Sequence, residues 1–383
     1  MRPHRIVVAP DKFKGSLSAL DVARAIERGL AHVFGERYGI DVIPMADGGE
    51  GTVAAFLEGG ARALRRTVSG PRGAAVEAAF ARDGDIAILE MASASGLALL
   101  ARVGRDARAA STYGTGELIC AALDSGATRI VVGIGGSATN DGGAGMLAAL
   151  GARLLDADGE AVAPGGAPLG ELATIDLTHL DPRLREVTLE VAADVDNPLC
   201  GPTGASAIFG PQKGASAADV AELDAALGHF ADVAAATLGR DDRNLPGAGA
   251  AGGLGFAFVA FLGARLRPGV EIVAELRGLD AALRGASFCV SGEGRIDAQT
   301  LHGKTVAGIA NLAERHGVPV IALAGTLEAE AEEALFARGV TCVPILEGPM
   351  DLEAAMLQTA ALVERAAARV ARTIEATGRT AAR

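Results

Sequence analysis

Short apolar, β-branched runs alternate along this chain with segments of helical periodicity, and that alternation restricts the fold more than any other feature. Arg5–Ala9 (RIVVA) reads as a buried strand. A helix follows near Ser16 or Ser18: Ser18 with Asp21 is an N-cap pair, and Val22, Ile26, Leu30 and Val33 share one helical face. The strand–loop–helix pattern recurs at Arg129–Ile134, Ser287–Ser291, Val318–Ala324 and Thr341–Ile345, with Asp41–Pro44 as a further strand. Repeated alternation of this kind builds a parallel sheet with helices on both faces. Ala63–Val68, Ala75–Ala81 and Asp85–Glu90 differ, because only short turns (Ser69–Gly73 and Asp83-Gly84) divide them; they read as an antiparallel meander, which Ala152–Leu155 and Val187–Ala193 can join. The expected class is α/β. A Rossmann-like parallel-sheet domain comes from residues 1–62 and 283–383, with 112–150 as an optional addition, and a mixed α/β domain is inserted at 63–282.

Composition narrows the function classes. Half the residues are hydrophobic, which excludes a disordered chain. Lys and Arg number 35 against 47 Asp and Glu, a net charge of −12, and no basic cluster stands out, so no nucleic-acid partner is expected. The four cysteines, Cys120, Cys200, Cys289 and Cys342, form no CxxC pair and read as reduced thiols. The apolar run near the N-terminus is too short for a signal peptide, and Leu254–Ala264 is too short to span a bilayer, so the expectation is a cytoplasmic protein with no membrane partner. A homo-oligomer stays open.

Glycine, at 52 of 383 residues, is about twice as frequent as usual. It concentrates in three groups at the ends of expected strands: Ala46–Thr52 (ADGGEGT), Gly133–Gly143 (GIGGSATNDGG) and Ser291–Asp297 (SGEGRID). Ligands of open parallel sheets bind outside the carboxyl ends of the strands. Glycine there admits positive φ and close backbone approach, and the following helix N-terminus attracts phosphate. Ordinary tight turns would account for one such loop; three, each carrying acidic or amide side chains, point to a site. Phosphoryl transfer needs Mg²⁺ and oxygen ligands for it, and Asp47, Glu50, Asp141, Asp194, Asp196, Glu293 and Asp297 lie in or near these loops. Any one of them can equally be a helix cap.

Basic residues are few but well placed. Lys12 and Lys14 follow the first strand, and Lys304 precedes a helix in His302-Gly303-Lys304-Thr305. A Walker A motif is excluded because position 298 is Ala where that pattern needs Gly. Gly247–Gly252 matches GxGxxG but follows Arg243–Pro246 rather than a strand, so it reads as a close-packed helix start. No GxSxG elbow and no HExxH pair occur, which weakens hydrolase readings.

At these loops the sequence resembles the glycerate kinase family, bacterial class I type. The matching segments are APDKFKGSLSA (Ala9–Ala19), PMADGGEGT (Pro44–Thr52), GIGGSATNDGGAGM (Gly133–Met146), DVDNPLCGPTGA (Asp194–Ala205), FGPQKGA (Phe209–Ala215), PGAGAAGGLG (Pro246–Gly255) and SGEGRIDAQTLHGKT (Ser291–Thr305). They run in order over nearly the whole chain. The resemblance implies phosphorylation of D-glycerate by ATP with Mg²⁺, giving 2-phosphoglycerate, with 3-phosphoglycerate as the other product class, in a two-domain fold. The chain departs from the family pattern at Lys12, Ala193 and Val306, where the family often has Ser, Cys and Pro.

With glycerate as the implied substrate, Lys14 is expected on its carboxylate, with Lys12 close by and Arg72 as a second candidate. Asp194 is expected to accept the hydroxyl proton, with Asp196 and Asn197 orienting it. Gly135, Gly136, Ser137 and Asn140 are expected to offer donors to phosphate or substrate, and Gly292 and Gly294 to line the nucleotide. Lys304 is expected on the transferring phosphoryl group, and Asp47, Glu50 and Asp297 on Mg²⁺ or its waters. The expected cleft lies between the domains. The competing readings are a kinase for another hydroxy acid or sugar acid, a dinucleotide-dependent oxidoreductase and a non-catalytic ligand sensor.

Overall fold

A computed structural model of the chain describes residues 4–381, with side chains placed for all of these except 302 and 378–381. In chain order the strands are β1 (His4–Val8), β2 (Tyr38–Val42), β3 (Arg62–Ser69), β4 (Ala75–Asp83), β5 (Ile86–Glu90), β6 (Arg129–Gly133), β7 (Arg153–Leu155), β8 (Thr174–Asp176), β9 (Thr188–Ala192), β10 (Arg265–Arg267), β11 (Phe288–Ile296), β12 (Val320–Leu327) and β13 (Val340–Pro344). The chain divides into two compact units, Met1–Asp47 with Pro268–Arg383, and Gly48–Arg267.

The first unit holds a five-stranded sheet in the order β13-β12-β11-β1-β2, every pair parallel. Ile6, Val7 and Val8 of β1 are fully buried, as a strand covered on both faces requires. The helix Ala19–Phe34 starts where Ser18 Oγ accepts the Asp21 N–H at 3.2 Å, and it buries Val22, Ile26 and Leu30. It packs against the helix Thr359–Ala381. Gly29 permits that approach, since a Cβ there would stand 2.2 Å from the Glu364 carbonyl.

The second unit holds a six-stranded mixed sheet, β10-β9-β6-β5-β4-β3. The pairs from β10 to β5 are parallel, and β5-β4 and β4-β3 are antiparallel. This unit has its own core, with Phe80, Phe230, Phe256 and Phe258 nearly solvent-free. No helix among the described residues is long and apolar enough to cross a membrane.

The expected α/β class holds, with an all-parallel sheet in one unit and a mixed sheet in the other. Details differ. Of the runs assigned to the meander, β9 enters the sheet as a parallel neighbour of β6, and β7 leaves it to pair with β8 in a separate two-stranded sheet. The division falls at 47/48 and 267/268 rather than at 62/63 and 282/283. The helix Thr52–Glu58 packs on β4 and β5, and the helix Gly269–Leu276 packs on Thr305–Glu314, so each segment joins the unit that buries its apolar face. Residues 112–150 belong to the second unit, because β6 hydrogen-bonds to β5 and β9.

Candidate functional site

In the first unit, the loop after β1 and the strand β11 carry two buried carboxylates. Asp11, just past β1, is only 6% exposed. Its N–H donates to the Gly292 carbonyl at 2.9 Å. Its carboxylate accepts the Lys12 N–H at 2.7 Å and the Thr305 hydroxyl at 2.5 Å. Thr305 opens the helix Thr305–Glu314, so this bond ties the β1 loop to a helix N-terminus. Glu293, in β11, is 8% exposed and accepts the Thr300 hydroxyl at 2.6 Å. Burial pushes Asp11 up to about 6; the Asp47 carboxylate adds to this and Lys12 opposes it. Burial pushes Glu293 up to about 7, opposed by the Thr300 hydrogen bond and reinforced by the charge of Asp11. Carboxylates that resist ionising together suit a cation brought by a ligand.

The sequence-expected residues of this unit lie around that pair. Lys12 is half-buried and Lys14 exposed, and Gly294 backs onto them: a Cβ there would meet the Lys14 nitrogen at 3.4 Å. Lys304 is the N-cap residue of Thr305–Glu314, and its Nζ donates to Gln299 Oε1 at 2.8 Å. Asp297 pairs with Arg295 at 3.2 Å and accepts the Gln299 N–H at 2.9 Å. One expectation needs correction. Gly292, Glu293 and Gly294 lie inside β11, which runs on to Ile296 in register with β12, and not in a loop after the strand. Glycine is required at 292 because a Cβ would stand 2.5 Å from the Leu323 carbonyl.

In the second unit, the carboxyl ends of β6 and β9 adjoin, since Gly133 pairs with Ala192. The loops that continue them, with Gly135–Asn140 on one and Asp194–Asn197 on the other, therefore start side by side. A third segment, Gly48–Gly51, lies against the first. A Cβ on Gly133 would stand 2.0 Å from the Gly48 carbonyl, and one on Gly135 would stand 3.1 Å from the Gly49 Cα. The β3–β4 turn with Arg72 is at the same end of the sheet, because β4 runs antiparallel to β5. The Arg72 guanidinium pairs with Asp106 at 2.9 Å.

The loop after β6 is held almost wholly inside. Asp141 is fully buried and accepts from the Thr112 N–H (2.7 Å), the Thr112 hydroxyl (2.9 Å), the Gly143 N–H (3.2 Å) and the Gly145 N–H (3.3 Å). Burial raises its pKa, and those donors oppose the shift. Gly136 turns the chain at φ 74°, and Ser137 bridges to Gly96. Asn140 is expected to donate to a ligand; one of the two N–H groups of its Nδ2 donates to Ser206 Oγ at 2.8 Å. Asp194 and Asp196 are exposed, while Asn197 Nδ2 donates to the Thr203 carbonyl at 2.8 Å and so fixes its own loop. The GxGxxG stretch enters the helix Ala250–Leu262 through left-handed Ala251, Gly252 and Gly253. A Cβ on Gly252 would stand 2.0 Å from the Thr139 carbonyl, so it is a close-packed helix start.

Asp47 and Asp297 lie in the first unit and Glu50 in the second. Among the described residues no group of three or more His, Cys, Asp and Glu side chains is placed to hold a metal. Sequence reasoning assigned no role to Asp11, Thr300, Thr305, Ser206 or Lys213. For Asp11 the usable signal is an Asp directly after Pro10, just past the first apolar run. Thr305, Ser206 and Lys213 act through contacts distant in sequence, while Thr300 reaches Glu293 seven residues away.

A sequence model described as "Glycerate kinase family" matches residues 6–375. The chain is 49% identical to a glycerate kinase of Halalkalibacterium halodurans over 371 residues, covering 96% of this chain and 97% of that one. It is 51% identical to a glycerate 2-kinase of Escherichia coli over 326 residues, covering 84% and 85%. A solved structure from Salmonella typhimurium LT2, described as a candidate glycerate kinase 2, superposes with a TM-score of 0.90 at 46% identity, covering 99% of this chain and 100% of that one.

Proposed function

The chain belongs to the glycerate kinase family and is a kinase; on that premise we propose that it transfers the γ-phosphoryl group of ATP to the 2-hydroxyl of D-glycerate, as a cytoplasmic enzyme. The observation that carries the reading is the side-by-side start, at the ends of β6 and β9, of a glycine-rich loop and a loop bearing an exposed carboxylate, Asp194. That is an arrangement for donating N–H groups to phosphate beside a base for a hydroxyl. The choice of the 2-hydroxyl is supported by the name of the Escherichia coli relative, a glycerate 2-kinase.

Each residue then has a task. Lys14, with Lys12, neutralises the glycerate carboxylate; Arg72 is second to them because it already pairs with Asp106. Asp194 accepts the proton of the attacking hydroxyl. Asp196 orients the substrate, and Asn197 acts by holding the loop through Thr203. Gly135, Gly136 and Ser137 offer N–H groups to the phosphates, and Asn140 supports that turn from inside. Gly292 and Gly294 let backbone approach the nucleotide closely. Lys304, at the N-terminus of Thr305–Glu314, stabilises charge on the transferring phosphoryl group. No nucleophile on the protein is needed, because positioning and charge stabilisation suffice for this chemistry.

The donor set fits Mg²⁺ delivered with ATP rather than a protein-only cage. Mg²⁺ usually takes one or two carboxylates and fills its remaining positions with water and substrate phosphate. Asp47, whose charge helps raise Asp11, is the first candidate ligand in its unit, with Asp297 and Glu50 as further ones. When bound, the ion would neutralise charge on the phosphates.

ADP release measured across D-glycerate, L-glycerate, other hydroxy acids and sugar acids tests the reading. D-glycerate should give the highest kcat/KM. A sugar acid or another hydroxy acid turned over faster would move the assignment to that substrate.

A further inference from the structure

The helix Ala205–Phe209 and the short turn Pro211–Lys213 send two buried side chains to consecutive residues of the loop after β6. Ser206 Oγ accepts from Asn140 Nδ2 at 2.8 Å, and Lys213 Nζ donates to the Thr139 carbonyl at 2.8 Å. All four residues are 1% exposed or less. The same loop is also held by the left-handed turn of the Ala251–Gly253 segment, where the Gly142 N–H donates to the Gly252 carbonyl at 3.0 Å.

A lysine is an expensive way to hold a carbonyl. Burial lowers Lys213 to about 7, and the charge of Asp141 opposes the shift. Asp141 does not depend on it, since four other hydrogen bonds satisfy that carboxylate. A methionine would fill much the same volume without the desolvation cost, and well-packed apolar replacements of buried charges are often neutral or stabilising. The turn also keeps two buried polar atoms, Thr139 Oγ1 and Asn140 Oδ1, without a hydrogen-bond partner among the described residues. A loop built only for stability would not leave them so.

We propose that Ser206 and Lys213 are positioning residues that clamp the Thr139–Asn140 turn from behind and so hold Gly135, Gly136 and Ser137 in the geometry that serves phosphoryl transfer. The inference rests on the reading of that loop as phosphate-facing. The clamp touches no substrate, and it acts by fixing the backbone whose N–H groups do. Displacements of about 1 Å at such donors can lower a rate by roughly a hundred-fold.

Ser206→Ala and Lys213→Met, made in the full chain, test it by kcat, KM, thermal unfolding and amide exchange over residues 134–143. Both variants should lose kcat by about ten-fold or more, with KM for D-glycerate nearly unchanged. Melting temperatures should stay near that of the parent, and exchange should rise within 134–143 but not in β1 or β11. A kcat within about two-fold of the parent in Ser206→Ala overturns the clamp, and this small change decides the matter if Lys213→Met does not fold. Losses of kcat that merely track lost melting temperature also overturn it, since they mark a structural role. If the parent chain does not phosphorylate D-glycerate, the functional reading fails on its own, and the exchange measurement still judges the clamp.

Discussion

Burial holds Asp11 and Glu293 above the usual carboxylate range; the charge of Asp47 adds to the shift at Asp11, and the charge of Asp11 adds to that at Glu293. Both pKa values are raised above their unfolded values of 3.8 and 4.5, so the folded chain keeps protons that the unfolded chain has lost. The resulting stabilisation is fully present below about pH 4 and is lost as pH rises through about 6 to 7. Asp11→Asn should therefore raise the melting temperature of the ligand-free protein at pH 8 and flatten its dependence between pH 4 and 7. The underlying change is about 1–3 kcal/mol; an unchanged slope from urea titrations at several pH values would count against the buried pair. Asp194→Asn should lower kcat by about two or more orders of magnitude while ATP binding survives; near-normal turnover would remove Asp194 as the base. At this scale the sequence was only partly legible. Lys14 and Lys304 stand out because a charge beside glycine is visible in one dimension, and Asp194 because it follows an apolar run. Ser206 and Lys213 are not visible that way, since their partners Asn140 and Thr139 lie far off in sequence and meet them only through packing.

Elements place these side chains, and β11 shows how. The sequence reads as a short strand at Ser287–Ser291, yet pairing with β12 carries β11 through Gly292, Glu293 and Gly294 to Ile296. A run containing two glycines and two charged residues has no strand signature of its own; the neighbouring strand supplies the hydrogen bonds that extend it. The helix Thr305–Glu314 was legible, because a Gly-Lys-Thr start and an apolar periodic run agree. Lys304→Ala at its N-terminus should reduce kcat or ATP affinity by about ten-fold or more, measured by initial rates and by calorimetry with ATP. Gly252→Ala should cost more than about 2 kcal/mol, because it places a Cβ in a left-handed residue 2.0 Å from the Thr139 carbonyl. Denaturant melts would read that loss directly, and wild-type stability would show that the turn can shift.

The whole molecule is two α/β units, each with its own sheet and core, one of them made from both ends of the chain. That organisation follows from the order of strand patterns, and its limits were misplaced because a surface helix such as Thr52–Glu58 declares its allegiance only by what it packs on. Part of the glycine excess lies where backbone comes close to backbone, as at Gly133, Gly252 and Gly292, and the acidic excess includes the buried Asp11 and Glu293. Together with the family match over residues 6–375, these features support phosphoryl transfer from ATP to D-glycerate. Phosphorus NMR of the product formed from D-glycerate, ATP and Mg²⁺ tests that claim most directly. The expected result is a resonance that coincides with added 2-phosphoglycerate and grows as ATP is converted to ADP. A resonance matching 3-phosphoglycerate would contradict the assignment of the hydroxyl, and ATP left intact would contradict the function itself.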